Sequence, residues 1–213
     1  MQATRIIAIR HGETAWNVDT RIQGQLDIEL NATGHWQARR VAQALAEEPI
    51  SAIYSSHLLR AWETARAIGG RIGLEPQACP DLRERGFGVL QGKTFVEIEA
   101  AWPEQALRWR RRDPDWVPEG GESLVQLRQR IVQTTFALAQ RHPGEQIVLV
   151  AHGGVMDVLY RVATGQDIQA ARSWNLGNAT INRLLWTPQG LTMVGWGDSR
   201  HLDHNEALEE SST

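Results

Sequence analysis

A chain of 213 residues, 42% hydrophobic and 22% charged, has the make-up of an ordinary globular protein with one good-sized core. Its formal charge of −3 excludes a protein built to coat nucleic acid or an anionic membrane, so any anion-binding capacity must be local. The single cysteine, Cys79, excludes an internal disulfide framework and favours the cytoplasm, and no segment approaches the ~20 apolar residues of a membrane helix.

The first predicted element is a strand over 4–10 (TRIIAIR), which runs straight into Arg10, His11 and Gly12. Its apolar run is too short for the core of a signal peptide. Residues 32–48 place Val41, Ala42, Leu45 and Ala46 at helical spacing and stop before Pro49, which predicts a helix. A strand follows at 51–55 (SAIYS), then a helix at 57–72, with Ser55 and Ser56 at the strand exit and Arg60 one helical turn on. The 85–122 stretch, rich in Arg, Trp and Pro, reads as an insertion or helical lid over one end of the sheet. Ser123 with Gln126 three places on is a capping-box signature for a helix over 123–141. The run 146–151 (QIVLVA) predicts a strand, which exits into His152, Gly153 and Gly154 and a further helix to about Thr164. Strands over 181–186 and 191–196 precede a polar tail at about 204–213. The nine Trp imply packing and surface contacts and nothing more specific.

Strand and helix alternation predicts an α/β fold: a three-layer α/β/α sandwich around a mostly parallel central sheet. In open sheets of this kind ligands bind at the carboxyl ends of the strands. Three strand exits carry chemistry here, so Arg10, His11, Arg60 and His152 can converge over one edge. Two arginines in one pocket call for an anion, and guanidinium forks match phosphate oxygens. The glycines after each histidine are expected to let backbone N–H groups approach the same anion. A neutral imidazole is a competent nucleophile near pH 7, so the cluster points to phosphoryl transfer through a phosphohistidine, with no metal or other cofactor.

The motifs "RHGETAWN", "SSHLLRAWETA", "LRERGFGVLQG" and "AHGG" resemble, in order and spacing, those of the histidine phosphatase superfamily, whose fold is phosphoglycerate mutase-like. The resemblance runs from about residue 4 to residue 203 and implies one such domain over 1–213. It implies His11 as nucleophile, His152 as a donor to the transferred phosphoryl group, and Arg10 and Arg60 as its clamp. Asn17, Gln23 and Gly24, with Gly153, would complete the phosphate cradle. Glu84 matches the general acid of the family, with Glu13 and Glu63 as nearby alternatives.

Departures from the family pattern favour its phosphatases over its mutases. Phe87 stands where mutases carry Tyr, Phe95 where they carry Lys, with Lys93 displaced by two positions, and Gly154 where they carry Asn. The acid phosphatase and phytase branch places Asp where this chain has Gly153. The expectation is therefore a metal-independent hydrolase of small phosphorylated metabolites, releasing inorganic phosphate, with no nucleic acid or membrane partner, as a monomer or homodimer. A 2,3-bisphosphoglycerate-dependent phosphoglycerate mutase is the alternative, and a non-catalytic phosphate-binding module is a remote third. Trp102, Trp109, Phe87 and Phe95 are expected to line the site and suit a partly apolar or ring-bearing substrate. The "RWRRR" run at 108–112 reads as a solvated helix face from which one or two arginines reach a substrate carboxylate or second phosphate. "HLDH" at 201–204 reads as exposed tail rather than as a metal tract.

Overall fold

The computed structural model describes residues 2–203, so the tail expected at 204–213 and His204 of the "HLDH" run lie outside the described residues. One sheet is formed by β1 (Thr4–Arg10), β2 (Ala52–Ser55), β3 (Gln77–Ala78), β4 (Gln146–Ala151), β5 (Ile181–Thr187) and β6 (Gly190–Asp198), in the order β3-β2-β4-β1-β5-β6. β2 pairs in parallel with both β3 and β4, and β4 in parallel with β1. β5 is antiparallel to β1 and forms a hairpin with β6, so the sheet is mostly parallel with an antiparallel edge. The five anticipated strands are present, and the two-residue β3 is too short to leave a pattern in the sequence.

The period-two alternation of β1 explains the layering. Ile6 and Ala8 face one way, into a cluster with Leu127, Ile131, Leu149 and Met156; Ile7 and Ile9 face the other, against Val41, Leu45, Ala61 and Ile68. The first set comes from α6 (Leu124–Gln140) and α7 (Gly153–Thr164), with Leu149 from the neighbouring strand β4, and the second from α2 (Ala32–Ala44), the turn that follows it, and α3 (Leu59–Ile72). Helix α2 ends four residues earlier than the periodicity predicts, because Ala46 and Glu48 N–H turn back to the carbonyls of Gln43 and Leu45 ahead of Pro49. Helix α6 begins as its capping box requires: Ser123 Oγ accepts from Gln126 N–H and Gln126 Oε1 from Ser123 N–H. Helix α3 lacks a cap of its own; Asp27, thirty-two residues upstream, accepts the N–H of Leu59 at 2.6 Å.

Between β3 and α6 lie α4 (Phe95–Ala101) and α5 (Pro103–Arg110), with a four-residue helix, α1 (Ala15–Val18), following β1. The 85–122 segment carries a small apolar cluster of its own, built on Leu90, Ile98, Ala106 and Trp116 with Phe87, Phe95, Trp102 and Trp109 packed against it. No helix among the described residues is long and apolar enough to cross a membrane. His201 departs from the exposed tail expected of it: it is half-buried, with its ring on the Ala179 carbonyl and its own carbonyl on Arg40.

Candidate active site

Strand order determines which residues meet. Arg10 and Ala151 are register partners on the two central strands, so the next residues along, His11 and His152, emerge side by side from the same edge. Their ring centroids are 5.3 Å apart, and both rings are buried. β2 lies on the other flank of β4 and brings Ser56 beside His152. Arg60, 1% exposed, reaches in from the first turn of α3.

Proton positions follow from the partners. The Nδ1–H of His11 donates to the Gly12 carbonyl at 2.7 Å, which leaves Nε2 with its lone pair; Arg60 Nε–H donates to that atom at 3.2 Å. Ser56 Oγ accepts from Leu58 N–H, so its own proton is free for His152 Nε2 at 2.8 Å. His152 therefore carries its proton on Nδ1, which is buried and has no partner among the described residues. Burial, and then the guanidinium groups of Arg60 and Arg10, hold the His11 imidazole well below the usual histidine range. The same burial and Arg60 do so for His152, with contributions from His11, Arg10 and Arg130. Both rings are uncharged near neutral pH.

The cations are arranged around them. Arg10 donates from Nη1 to the Leu176 carbonyl, while its Nε is buried and has no partner among the described residues. Arg60 gives one N–H each to the carbonyls of Leu26 and Gly24. Burial lowers both guanidinium groups, Arg60 to about 10. Neither makes an ion pair among the described residues, although the Glu84 charge acts on both.

A cavity of about 190 Å³ is lined by Arg10, His11, Asn17, Gln23, Gly24 and Arg60, with Glu84, Phe87 and Arg21. A second, of about 480 Å³, shares Arg10, Glu84 and Phe87 with it and extends to Gly153, Gly154 and Trp109. All the residues the sequence singled out, His152 and Gly153 apart, thus line the smaller cavity, and those two stand immediately beside it. Asn17 spends its carbonyl oxygen on a capping box with Thr14, and no acceptor among the described residues engages its amide nitrogen. The Glu84 carboxylate accepts from Gly154 N–H at 3.0 and 3.1 Å and from Arg85 N–H at 2.7 Å. Glu13 and Glu63 are occupied elsewhere, on Asn31 and on the Leu30 N–H, which leaves Glu84 as the acidic group of the site.

Two expectations need correction. The N–H of Gly12 does not face an anion: Thr64 Oγ1 accepts it at 3.1 Å. Gly12 is required for packing, since a Cβ there would lie 2.5 Å from the Gly34 carbonyl oxygen of α2. Phe87 and Trp109, stacked at 4.9 Å, line the larger cavity, but Phe95 and Trp102 do not; both are spent on the core of the 85–122 segment. Ser56, which holds the His152 ring, sits at a predicted strand exit but carries no expected role of its own. Asn178, whose side chain donates to the His11 carbonyl, lies in a loop with no pattern around it. Among the described residues no group of His, Cys, Asp or Glu side chains is placed to hold a metal ion.

An uncharged imidazole whose Nε2 lone pair faces the cavity beside Arg60, a second imidazole with an open donor, and two buried guanidinium groups define an enzyme of phosphoryl transfer on an α/β sandwich. The family model for the histidine phosphatase superfamily, branch 1, matches residues 6–199, and the chain belongs to that superfamily. It is 41% identical over 209 residues to phosphoglycerate mutase-like protein 4 of Arabidopsis thaliana, covering 96% of this chain and 89% of that one. It is 38% identical over 205 residues to the metal-independent phosphoserine phosphatase of the same plant, covering 94% and 84%. The solved mycobacterial glucosyl-3-phosphoglycerate phosphatase superposes with a TM-score of 0.83 at 33% identity, covering 93% of this chain and 100% of the other. With this family and these phosphatases as relatives, the chain is a phosphoric monoester hydrolase.

Proposed function

We propose that the enzyme hydrolyses small phosphomonoesters through a phosphohistidine on His11, without a metal ion, in the cytoplasm. The observation that carries this reading is the burial of two guanidinium groups and two uncharged imidazoles around one cavity, with no ion pair to either arginine among the described residues. Buried cations without a counter-ion are costly unless an anion occupies the site. A phosphoryl group supplies three oxygens to Arg10, Arg60, His152 Nδ1 and the Asn17 amide.

In the first step the His11 Nε2–P bond forms and the ester P–O bond breaks. Protonated Glu84 gives its proton to the departing oxygen, which leaves as the alcohol. In the second step water attacks phosphorus while Glu84 takes a proton from it. The N–P bond then breaks, inorganic phosphate leaves, and His11 is neutral again. His152 and the arginines stabilise the charge on the equatorial oxygens in both steps. Gly154 leaves room for Glu84 in its present seat, because a Cβ at this position would lie 2.2 Å from Glu84 Oε1.

The test is a phosphoenzyme trap with labelled ester, run with and without EDTA. The native protein should give an acid-labile label and turnover indifferent to chelator, and His11→Ala should give neither label nor turnover. Glu84→Gln should slow an alkyl phosphate far more than p-nitrophenyl phosphate, whose leaving group needs no proton. Equal losses on both esters would remove Glu84 from the mechanism. Isomerisation of 3-phosphoglycerate in the presence of bisphosphoglycerate, without net loss of phosphate, would replace the hydrolase reading by the mutase one.

A further inference from the structure

The larger cavity carries more positive charge than its own carboxylates balance. Its wall holds six arginines against Glu84 and Asp157 alone, a formal surplus of four positive charges. Most of these arginines are committed. Arg112 and Arg161 share one oxygen of the buried Asp157, at 2.7 and 2.9 Å, and spend further donors on the carbonyls of the 167–170 turn. Arg85 donates to the carbonyls of Glu122 and Trp116. Arg10 belongs to the phosphate cavity. Two further arginines of the 108–112 run are spent away from the cavity, where Arg108 pairs with Asp113, and Arg110 pairs with Glu99 and lies over Phe95; Arg111 does not line the cavity.

Two arginines remain. Arg128 on α6 and Arg172 in the loop after α7 both line the cavity, are solvent-accessible, and have no hydrogen-bond or ion-pair partner among the described residues. Arg172 lies near enough to Arg10 and Arg112 for its charge to push both guanidinium groups down. Like charges gathered in one cavity, with their hydrogen-bonding forks open, are poised for an anion.

We propose that Arg128 and Arg172 form a second anion subsite, and that the enzyme selects phosphomonoesters whose leaving group itself carries an anionic group, a carboxylate or a further phosphate. The proposal rests on the phosphatase reading and adds its substrate class. With the scissile phosphate between Arg10 and Arg60, the leaving group extends past Glu84 and the Phe87–Trp109 stack to the two free guanidinium groups.

Two matched pairs of esters test it: sn-glycerol 3-phosphate with 3-phosphoglycerate, and fructose 6-phosphate with fructose 1,6-bisphosphate. Within each pair the second ester adds one anionic group. The native enzyme should show a KM about tenfold or more lower for the more anionic member of at least one pair, the range expected of charge-assisted hydrogen bonds. Preference in the first pair assigns a carboxylate, and in the second a phosphate. In the Arg128→Gln/Arg172→Gln double variant that ratio should collapse to about one. A native ratio near one in both pairs overturns the proposal, and so does a ratio that survives the double substitution. Calorimetric binding of the same esters to His11→Ala separates the two readings. If no ester is hydrolysed but the binding preference is present and arginine-dependent, the phosphatase reading fails and the subsite stands.

Discussion

At the scale of single residues, the site is a balance between burial and protonation. His11 and His152 are held uncharged by burial and by neighbouring guanidinium groups, and burial also lowers His201. The unfolded chain titrates these rings near 6.5, the ordinary histidine value. As pH falls below about 6.5 the unfolded state takes up protons that the folded state refuses, so stability declines until the lowered folded values are passed. Thermal unfolding followed by calorimetry should show Tm falling from pH 7 to pH 5, with a shallower fall in His11→Asn. A Tm flat over that interval would contradict the assignment of neutral rings. Gly154 offers a second test. Alanine suits the first turn of a helix better than glycine by about 0.5–1 kcal/mol, yet its Cβ would strike the Glu84 carboxylate. Gly154→Ala should therefore keep or raise Tm while lowering kcat on alkyl phosphates about tenfold. A variant with native kcat on those esters would show that Glu84 acts from some other position.

At the scale of elements, α6 fixes the loop that carries Glu84. Arg130 on this helix donates to the carbonyls of Asp81 and Arg83 and forms a bidentate pair with Glu122, at 2.7 and 2.9 Å. Both partners are mostly shielded from solvent. Arg130→Gln should cost about 2–3 kcal/mol, read as a lower midpoint in urea. It should also reduce kcat selectively on esters with poor leaving groups, because Glu84 loses its anchor. Loss of stability with an unchanged leaving-group profile would make Arg130 purely structural. Elements of this length were legible in the sequence because their periodicity or capping repeats over several turns: β1, β4, α6 and α7 lie where the apolar spacing and the Ser123–Gln126 pair place them. The two-residue β3 and four-residue α1 were not, since neither is long enough to repeat its own pattern. The cap of α3 by Asp27 was beyond reach for a different reason: it is a contact between segments distant in the chain.

At the scale of the whole molecule, the convergence of Arg10, His11, Arg60 and His152 could be read in advance because parallel strands deliver their exits to a common edge. What each donor does there could not. The Gly12 N–H goes to Thr64, Phe95 and Trp102 go to a separate apolar cluster, and Arg112 is locked to Asp157; all three outcomes depend on which segments pack against which. One consequence of the sheet order reaches further. Neighbouring strands are about 4.8 Å apart, and the two imidazoles, one residue past paired positions on adjacent strands, stand 5.3 Å apart between centroids. Their separation is inherited from the ladder spacing, so altering it would mean unzipping the middle of the sheet. The wall that meets the leaving group instead rests partly on the 85–122 segment, which has its own small core. Mutational drift can thus remodel what the molecule recognises while the spacing of the two imidazoles stays as constant as a β-sheet.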